Sequence, residues 1–358
     1  MIMNQKESFI NLIRLGIDAN MVEQFSVADW HSLQIMAEKH GLMPIIVDGI
    51  DKVSGQDRPP KQLLLNWIGE EMKEESRYVV QQKWASELAQ WFHEHNIRTY
   101  VLKGAVVAEC YPKQEHRVSS DFDCFLLPEN VIIDSVWKTG NEIVQAKGFA
   151  VKTDYYKNST FLLPDLTVEN HRFLTPFRGN KKLRVLEIML QGQLKEDKGN
   201  NRFDGTWLCR PPVMVTALFL IEHAYSHFLH EGLTWRHVLD WMMFKRKHGK
   251  EIDWSTLNAG IDEFGFRRFY DSYEKLGQYL LGEVDEDELT ANDKRMLADV
   301  WADLDLHETV KGFKGKIAIA GNTWRARWKY HYFADISMMH AFWIQVKGFF
   351  FIREPKLN

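Results

Sequence analysis

The segment Asp121-Phe122-Asp123-Cys124-Phe125-Leu126-Leu127 constrains this chain more than any other. Its alternation predicts a strand, ended by Pro128. Residues i and i+2 of a strand point to the same face, so Asp121 and Asp123 lie side by side in an otherwise apolar run. Two carboxylates that close repel each other unless a cation neutralises them. Hard oxygen ligands of this kind suit magnesium or manganese. An isolated Asp-x-Asp is more often a solvated turn, so its surroundings decide its meaning.

Those surroundings form a β-rich island. Before Arg98 the chain reads helical, with Phe9, Leu12 and Ile13 at helical spacing and Gly16 as a stop. Ser26 and Asp29 have capping-box spacing, and the helix that follows ends near Gly41. A long helix is expected over 60–96 after Pro59-Pro60, with Leu64, Trp67, Ile68 and Met72 on one stripe. From Arg98 the order is a strand to Lys103-Gly104, a short helix closed by Pro112, a polar loop and the Asp121 strand. An amphipathic helix ending at Gly148 and strand-like runs from Ala150, Ser159 and Leu166 complete it. After Pro211-Pro212 the pattern is helical again. The expected fold class is therefore α+β (mixed α/β), with a small mixed sheet between helical flanks. The expected divisions are 1–97, 98–210 and 211–358.

Around the two aspartates, Glu169 in Leu166-Thr167-Val168-Glu169-Asn170 can supply a third carboxylate if that run is a neighbouring strand. Three acids around a metal pair suit a phosphoryl-type displacement. Lys103-Gly104 closes a strand and opens a helix, where glycine admits a ligand and a helix N-terminus favours anions. Arg117 can reach a triphosphate, and Ser119 and Ser120 can hydrogen-bond phosphate oxygens. His171 is expected to pack against or orient Glu169.

Together, VLKGAVVAECYP, RVSSDFDCFLL and TVENH resemble the nucleotidyltransferase superfamily of the polymerase-beta type. More closely, they resemble its uncharacterised bacterial nucleotidyltransferase family, over about residues 100–250. The later HAYSHFLHEGLTWRHVLDW, from His223, resembles the helical part of that family, which carries His, Arg and Asp in this order. The resemblance implies a nucleotidyltransferase-fold core. It implies metal-dependent transfer of a nucleoside monophosphate from an NTP to a hydroxyl of an acceptor: a small molecule, a protein or a nucleic acid. By position, Asp121, Asp123 and Glu169 would be the metal-binding and catalytic acids, with Mg2+ or Mn2+ as cofactor. Lys103, Gly104, Arg117, Ser119 and Ser120 would bind the nucleotide. The superfamily's usual Gly-Ser pair is replaced by Lys103-Gly104, which motivates a second reading. In it the same fold is a catalytically inactive nucleotide-binding or protein-interaction module.

The helical part offers a further cluster. His223, His227 and His230 fall at i, i+4 and i+7 on one helix face. Such residues are most often half-buried histidines satisfied by hydrogen bonds. A second reading sets this face against the nucleotide as a lid, with Arg236 and Asp240 nearby, and a third is a zinc site. Trp235, Trp241, Met242, Met243 and Phe244 are expected in the core. Residues 283–308 carry ten acidic residues against Lys294 and Arg295 and read as a solvated linker and helix face. The basic, aromatic stretch from Trp324 reads as a terminal helix docked on the core, with a membrane-surface helix or a partner patch as alternatives.

Composition excludes other classes. A net charge of -4 rules out a global polycation built to coat nucleic acid. Three cysteines, Cys110, Cys124 and Cys209, without a C-x-x-C spacing, support neither a disulfide framework nor a cysteine zinc knuckle. A cytoplasmic protein is expected, with no signal peptide and no transmembrane segment.

Overall fold

The computed structural model describes all residues except 1–4, 19–26, 28, 130, 134, 154–155, 303–325, 342 and 344–358. The amino-terminal part is helical: α1 (Gln5–Gly16), α2 (Trp30–His40), α3 (Met43–Asp51) and the long α4 (Lys61–His93). The island follows as β1 (Ile97–Val101), α5 (Ala105–Ala108), β2 (Asp121–Pro128), α6 (Val136–Ala146), β3 (Val151–Lys152), β4 (Asn158–Leu163) and β5 (Leu166–His171). After it come α7 (Lys181–Glu196), β6 (Leu208–Cys209), α8 (Val213–His230), α9 (Trp235–His248), α10 (Trp254–Phe264), α11 (Arg267–Leu281), α12 (Ala291–Trp301) and α13 (Arg327–Phe333).

The strands form one six-stranded mixed sheet in the order β3-β4-β5-β2-β1-β6. β2 lies inside it, antiparallel to β1 and parallel to β5. Its even residues Phe122, Cys124 and Leu126 pack with Leu88 and Phe92 of α4 and Ile143 and Val144 of α6. Its odd residues Phe125 and Leu127 join Tyr100 and Leu190 and Leu194 of α7 in the larger cluster on the opposite face. A strand covered on both faces needs apolar residues on both, and the composition of β2 meets that need. Asp121 and Asp123 are the odd residues at its start, so the period of two aims them at the helical side.

The expected α+β class and mixed sheet are present. Three details differ. The sequence reading passed over α7, whose Leu183, Leu186, Leu190 and Leu194 close the second face of the sheet, and the two-residue β6. Met72 leaves the expected α4 stripe: Trp67 is fully buried, but Met72 is 60% exposed. The acidic stretch is less solvated than expected, since α12 buries Met296, Leu297 and Val300 and caps itself through Thr290 and Asp293. The proposed Ser26 cap and most of the aromatic tail lie outside the described residues. Asp29 caps α2 through His31 N–H, and Gly41 ends that helix in the left-handed region. Of the tail, α13 buries Tyr330 and Phe333 against α8, where Phe333 meets Phe228.

Candidate active site

The parallel pairing of β2 with β5 sets Asp123 opposite Glu169 and Asp121 opposite Thr167. Neighbouring strands are about 4.8 Å apart, so the three acids form one patch where the two strands run in parallel. The sequence alone could not give this register. Asp123 is 2% exposed. Its Oδ1 accepts a hydrogen bond from His171 Nε2 at 2.8 Å. Its Oδ2 is buried without a hydrogen-bond partner, although Lys103 Nζ stands 3.2 Å away, off the line of a hydrogen bond. Lys103 Nζ is also 3.5 Å from Asp121 Oδ2. Burial would push the Asp123 carboxyl up, but Lys103 and the His171 bond outweigh it and hold the group below the usual carboxylate range. Burial likewise works against the Lys103 charge, and Asp123 and Asp121 more than restore it.

His171 ends β5 with both ring nitrogens facing acceptors. Nδ1 meets the Phe173 carbonyl at 3.2 Å, and Nε2 meets Asp123 and, at 3.4 Å, Glu169 Oε2. Burial lowers its basicity, but the bonds to Asp123 and Glu169 raise it further, so its pKa lies above the ordinary imidazole value. His171 therefore bridges two of the acids rather than orienting Glu169 alone. With hard oxygens from Asp121, Asp123 and Glu169, one of them buried without a hydrogen bond and facing only the Lys103 ammonium, the set fits a divalent cation of the magnesium type.

Gly104 takes φ +64°, and a Cβ there would lie 3.5 Å from Ser119 Oγ. Glycine permits this left-handed conformation, while the spacing to Ser119 is an ordinary contact. The helix it opens, α5, is a single turn. Ser119 Oγ donates to the Asp121 carbonyl at 2.9 Å and accepts from Arg117 Nη1 at 3.2 Å. Ser120 Oγ meets Asp121 Oδ1 at 3.3 Å. Arg117 itself is held by Asp240, with Nε to Oδ1 at 3.1 Å and Nη2 to Oδ2 at 2.7 Å. Tyr111 donates to the same Oδ1 at 2.7 Å. Arg117 and Asp240 thus tie α9 to the loop before β2, and two of the three guanidinium nitrogens are engaged there. From α4, Arg77 Nη2 and Gln81 Nε2 donate to the Ser119 carbonyl at 2.6 and 3.3 Å.

The helical wall stands behind Lys103. His223 Nε2 lies 3.4 Å from Lys103 Nζ, and a cavity of about 20 Å³ is lined by Lys103, Arg117, His223, Arg236, His237 and Asp240 among others. Arg236 Nη1 donates to the Val118 carbonyl at 2.9 Å, and among the described residues no carboxylate pairs with it. Burial and the nearby Arg117 charge lower its pKa. Of the three histidines expected on one face, His230 turns aside to the Ser226 carbonyl, and His237 takes its place beside His223 and His227. Burial, followed by neighbouring positive charge, lowers His223 and His237 well below the usual imidazole value. The tryptophans and methionines of α9 are core, as expected.

The sequence reading missed His237 and Glu222. Glu222 is 1% exposed, both its oxygens lack hydrogen-bond partners, and burial pushes its pKa up to about 7. A lone glutamate at the end of the apolar run Leu218–Ile221 was the available signal.

No curated protein and no solved structure matches the chain. The family model described as an uncharacterised nucleotidyltransferase matches residues 26–282. That span holds the three acids, Lys103-Gly104 and the helical wall, and the chain belongs to this nucleotidyltransferase family.

Proposed function

We propose that the protein moves a nucleoside monophosphate from an NTP to a hydroxyl of an acceptor, with Asp121, Asp123 and Glu169 as the reacting centre. One observation carries the reading: the β2–β5 register that pairs Asp123 with Glu169 on the face shared with Asp121. These three carboxylates would hold Mg2+ or Mn2+. The bound ion would lower the pKa of the attacking hydroxyl and neutralise charge on the departing pyrophosphate. In this reading residues 98–210 are the transferase core, and the helices after 211 are the wall that faces the acceptor.

The chain's own groups have defined tasks. Glu169 takes the acceptor's hydroxyl proton as the new O–P bond forms and the bond to pyrophosphate breaks. His171 donates to Asp123 Oδ1 and fixes that carboxylate, while Oδ2 faces the Lys103 ammonium. Lys103 neutralises the acid pair before substrate arrives and then faces the triphosphate, with Arg236 as a second cation. The braced Ser119 and Gly104 bring the backbone close to the phosphates. Three free thiols, Cys110, Cys124 and Cys209, fit the reducing cytoplasm, where NTPs are abundant. Among the described residues no helix is long and apolar enough to cross a membrane.

Calorimetric titration of each NTP, with and without Mg2+, into wild type and Asp121→Asn/Asp123→Asn tests the reading. Metal-dependent binding is expected in wild type and lost in the double variant. Pyrophosphate release across an acceptor panel is expected to fall to background in Asp123→Asn. Unchanged NTP binding in the double variant would overturn the assignment of the centre. A second reading, nucleotide binding without chemistry, draws on the hold of both aspartates on Lys103. Metal-stimulated pyrophosphate release that disappears in Asp121→Asn would exclude it.

A further inference from the structure

Behind Lys103, apart from the three acids, three imidazoles meet. α8 sets His223 and His227 one turn apart on the same face, and the first turn of α9 brings His237 against both. Ring centroids are 4.4 Å apart for His223–His227, 4.7 Å for His227–His237 and 5.9 Å for His223–His237. One nitrogen from each ring lies within 4.8 Å of the others. We propose that His223, His227 and His237 bind one transition-metal dication of the zinc type, separate from the ion held by the carboxylates.

The outer contact of His227 supports this arrangement, and that of His237 has to change. His227 Nδ1 lies 2.9 Å from Glu231 Oε2, so Nδ1–H donates there and Nε2 keeps its lone pair. A ligating histidine commonly gives its other N–H to a carboxylate in this way. His237 Nδ1 lies 2.9 Å from Thr234 Oγ and 3.2 Å from Thr234 N. When the ion takes Nε2, the ring proton sits on Nδ1 and donates to that hydroxyl, and the contact with the Thr234 amide is given up. Imidazole donors select zinc-like ions over magnesium, so the two sites sort different metals. Three protein ligands leave a fourth position open for water.

The electrostatic cost of the site comes from Arg117, Arg236 and above all Lys103, which line the same cavity, the Lys103 ammonium touching His223 Nε2. Its contacts with Asp121 and Asp123 remain when that imidazole turns to the ion. Ion and ammonium therefore compete for His223, and removing the ammonium tightens binding of the ion.

The test uses the full-length protein, stripped with a chelator and titrated with ZnSO4, and separately with CoCl2 while visible absorption is followed. Wild type is expected to bind one equivalent and to give the intense visible band of tetrahedral cobalt. Glu169→Gln, which leaves the Lys103 contacts with Asp121 and Asp123 in place, is expected to keep this uptake, which separates the site from the proposed transferase centre. His237→Gln loses it, Glu231→Gln weakens it about 10–100-fold, and Lys103→Met strengthens it. Glu231 is a half-exposed helix-end side chain, so its variant stays informative if His237→Gln misfolds. Absence of stoichiometric uptake by wild type, or uptake unchanged in both His237→Gln and Glu231→Gln, would overturn the proposal.

Discussion

Asp123 has two oxygens with different partners: one is fixed by an imidazole, and the other is buried in an ion pair with an ammonium. The spacing of Asp121 and Asp123 was legible in the sequence because a strand's period places i and i+2 together. Glu169 needed the parallel partner strand, which no local pattern specifies. Arg117 illustrates a different limit. An arginine four residues before an Asp-x-Asp reads as a phosphate ligand, yet its bidentate acceptor is Asp240, 123 residues further on. With side chains 3% and 7% exposed, this pair resists the loss of one member more than the loss of both. Arg117→Met is expected to cost about 3–5 kcal/mol because it strands a buried carboxylate. Arg117→Met with Asp240→Leu should recover much of that loss, while Arg117→Lys should fall short because it lacks the planar fork. Urea unfolding of the three variants measures this, and equal losses in the single and double variants would show that the pair does not act as a unit.

At the scale of elements, a one-turn 3-10 helix (Gln114–His116) anchors the loop before β2 to two amino-terminal helices. His116 is fully buried, with Nδ1 2.5 Å from Asp48 of α3 and Nε2 2.9 Å from Glu75 and 3.5 Å from Glu71 of α4. Lys113 also pairs with Asp48. Burial opposes the His116 charge, but the bonds to Asp48 and Glu75 raise its pKa above 6.5. Burial, with Asp48 and Glu75 nearby, pushes Glu71 up from 4.5 to about 7 despite His116. Both shifts have the same sign. The stability from Glu71 is fully present below about 4.5 and is lost as pH rises through about 7; that from His116 is full below 6.5 and is lost above its raised value. The melting temperature should therefore fall between pH 5 and pH 8.5 by more in wild type than in Glu71→Gln. An identical fall in Glu71→Gln would rule Glu71 out as a source of it. Of the elements that build this anchor, α4 was readable from periodicity, whereas the one-turn helix at Gln114–His116 lay in a stretch read as a polar loop. α7 was passed over, although Leu183, Leu186, Leu190 and Leu194 recur at helical spacing among charged residues. The short β6 was missed because two residues carry no period.

At the scale of the whole molecule, the amino-terminal helices and the carboxy-terminal wall share one buried cluster. Phe9 of α1 meets Trp301 of α12 edge to face at 5.7 Å, and His40 of α2 packs against both rings. Arg14 Nε and Nη2 donate to the carbonyls of Leu280 and Tyr279 at the end of α11, at 2.9 and 2.6 Å. The Trp235 amide, at the start of α9, donates to His40 Nδ1 at 3.3 Å. Gly41, which ends α2 with φ +66°, leaves room for Arg236, whose Nε would lie 3.2 Å from a Cβ there. The first fifty residues thus support the same helices that carry Arg236, His237 and Asp240. If the two ends form one cooperative unit, damage at α1 must be felt in the wall. Phe9→Ala removes a fully buried aromatic and is expected to cost about 3–5 kcal/mol. Amide hydrogen exchange under native conditions should then quicken in α9, α11 and α12 as well as in α1 and α3, because partial unfolding follows shared packing rather than chain order. Quickening confined to α1–α3 would show instead that the amino-terminal helices open alone, and the wall of the site would then owe its stability to the sheet and α7.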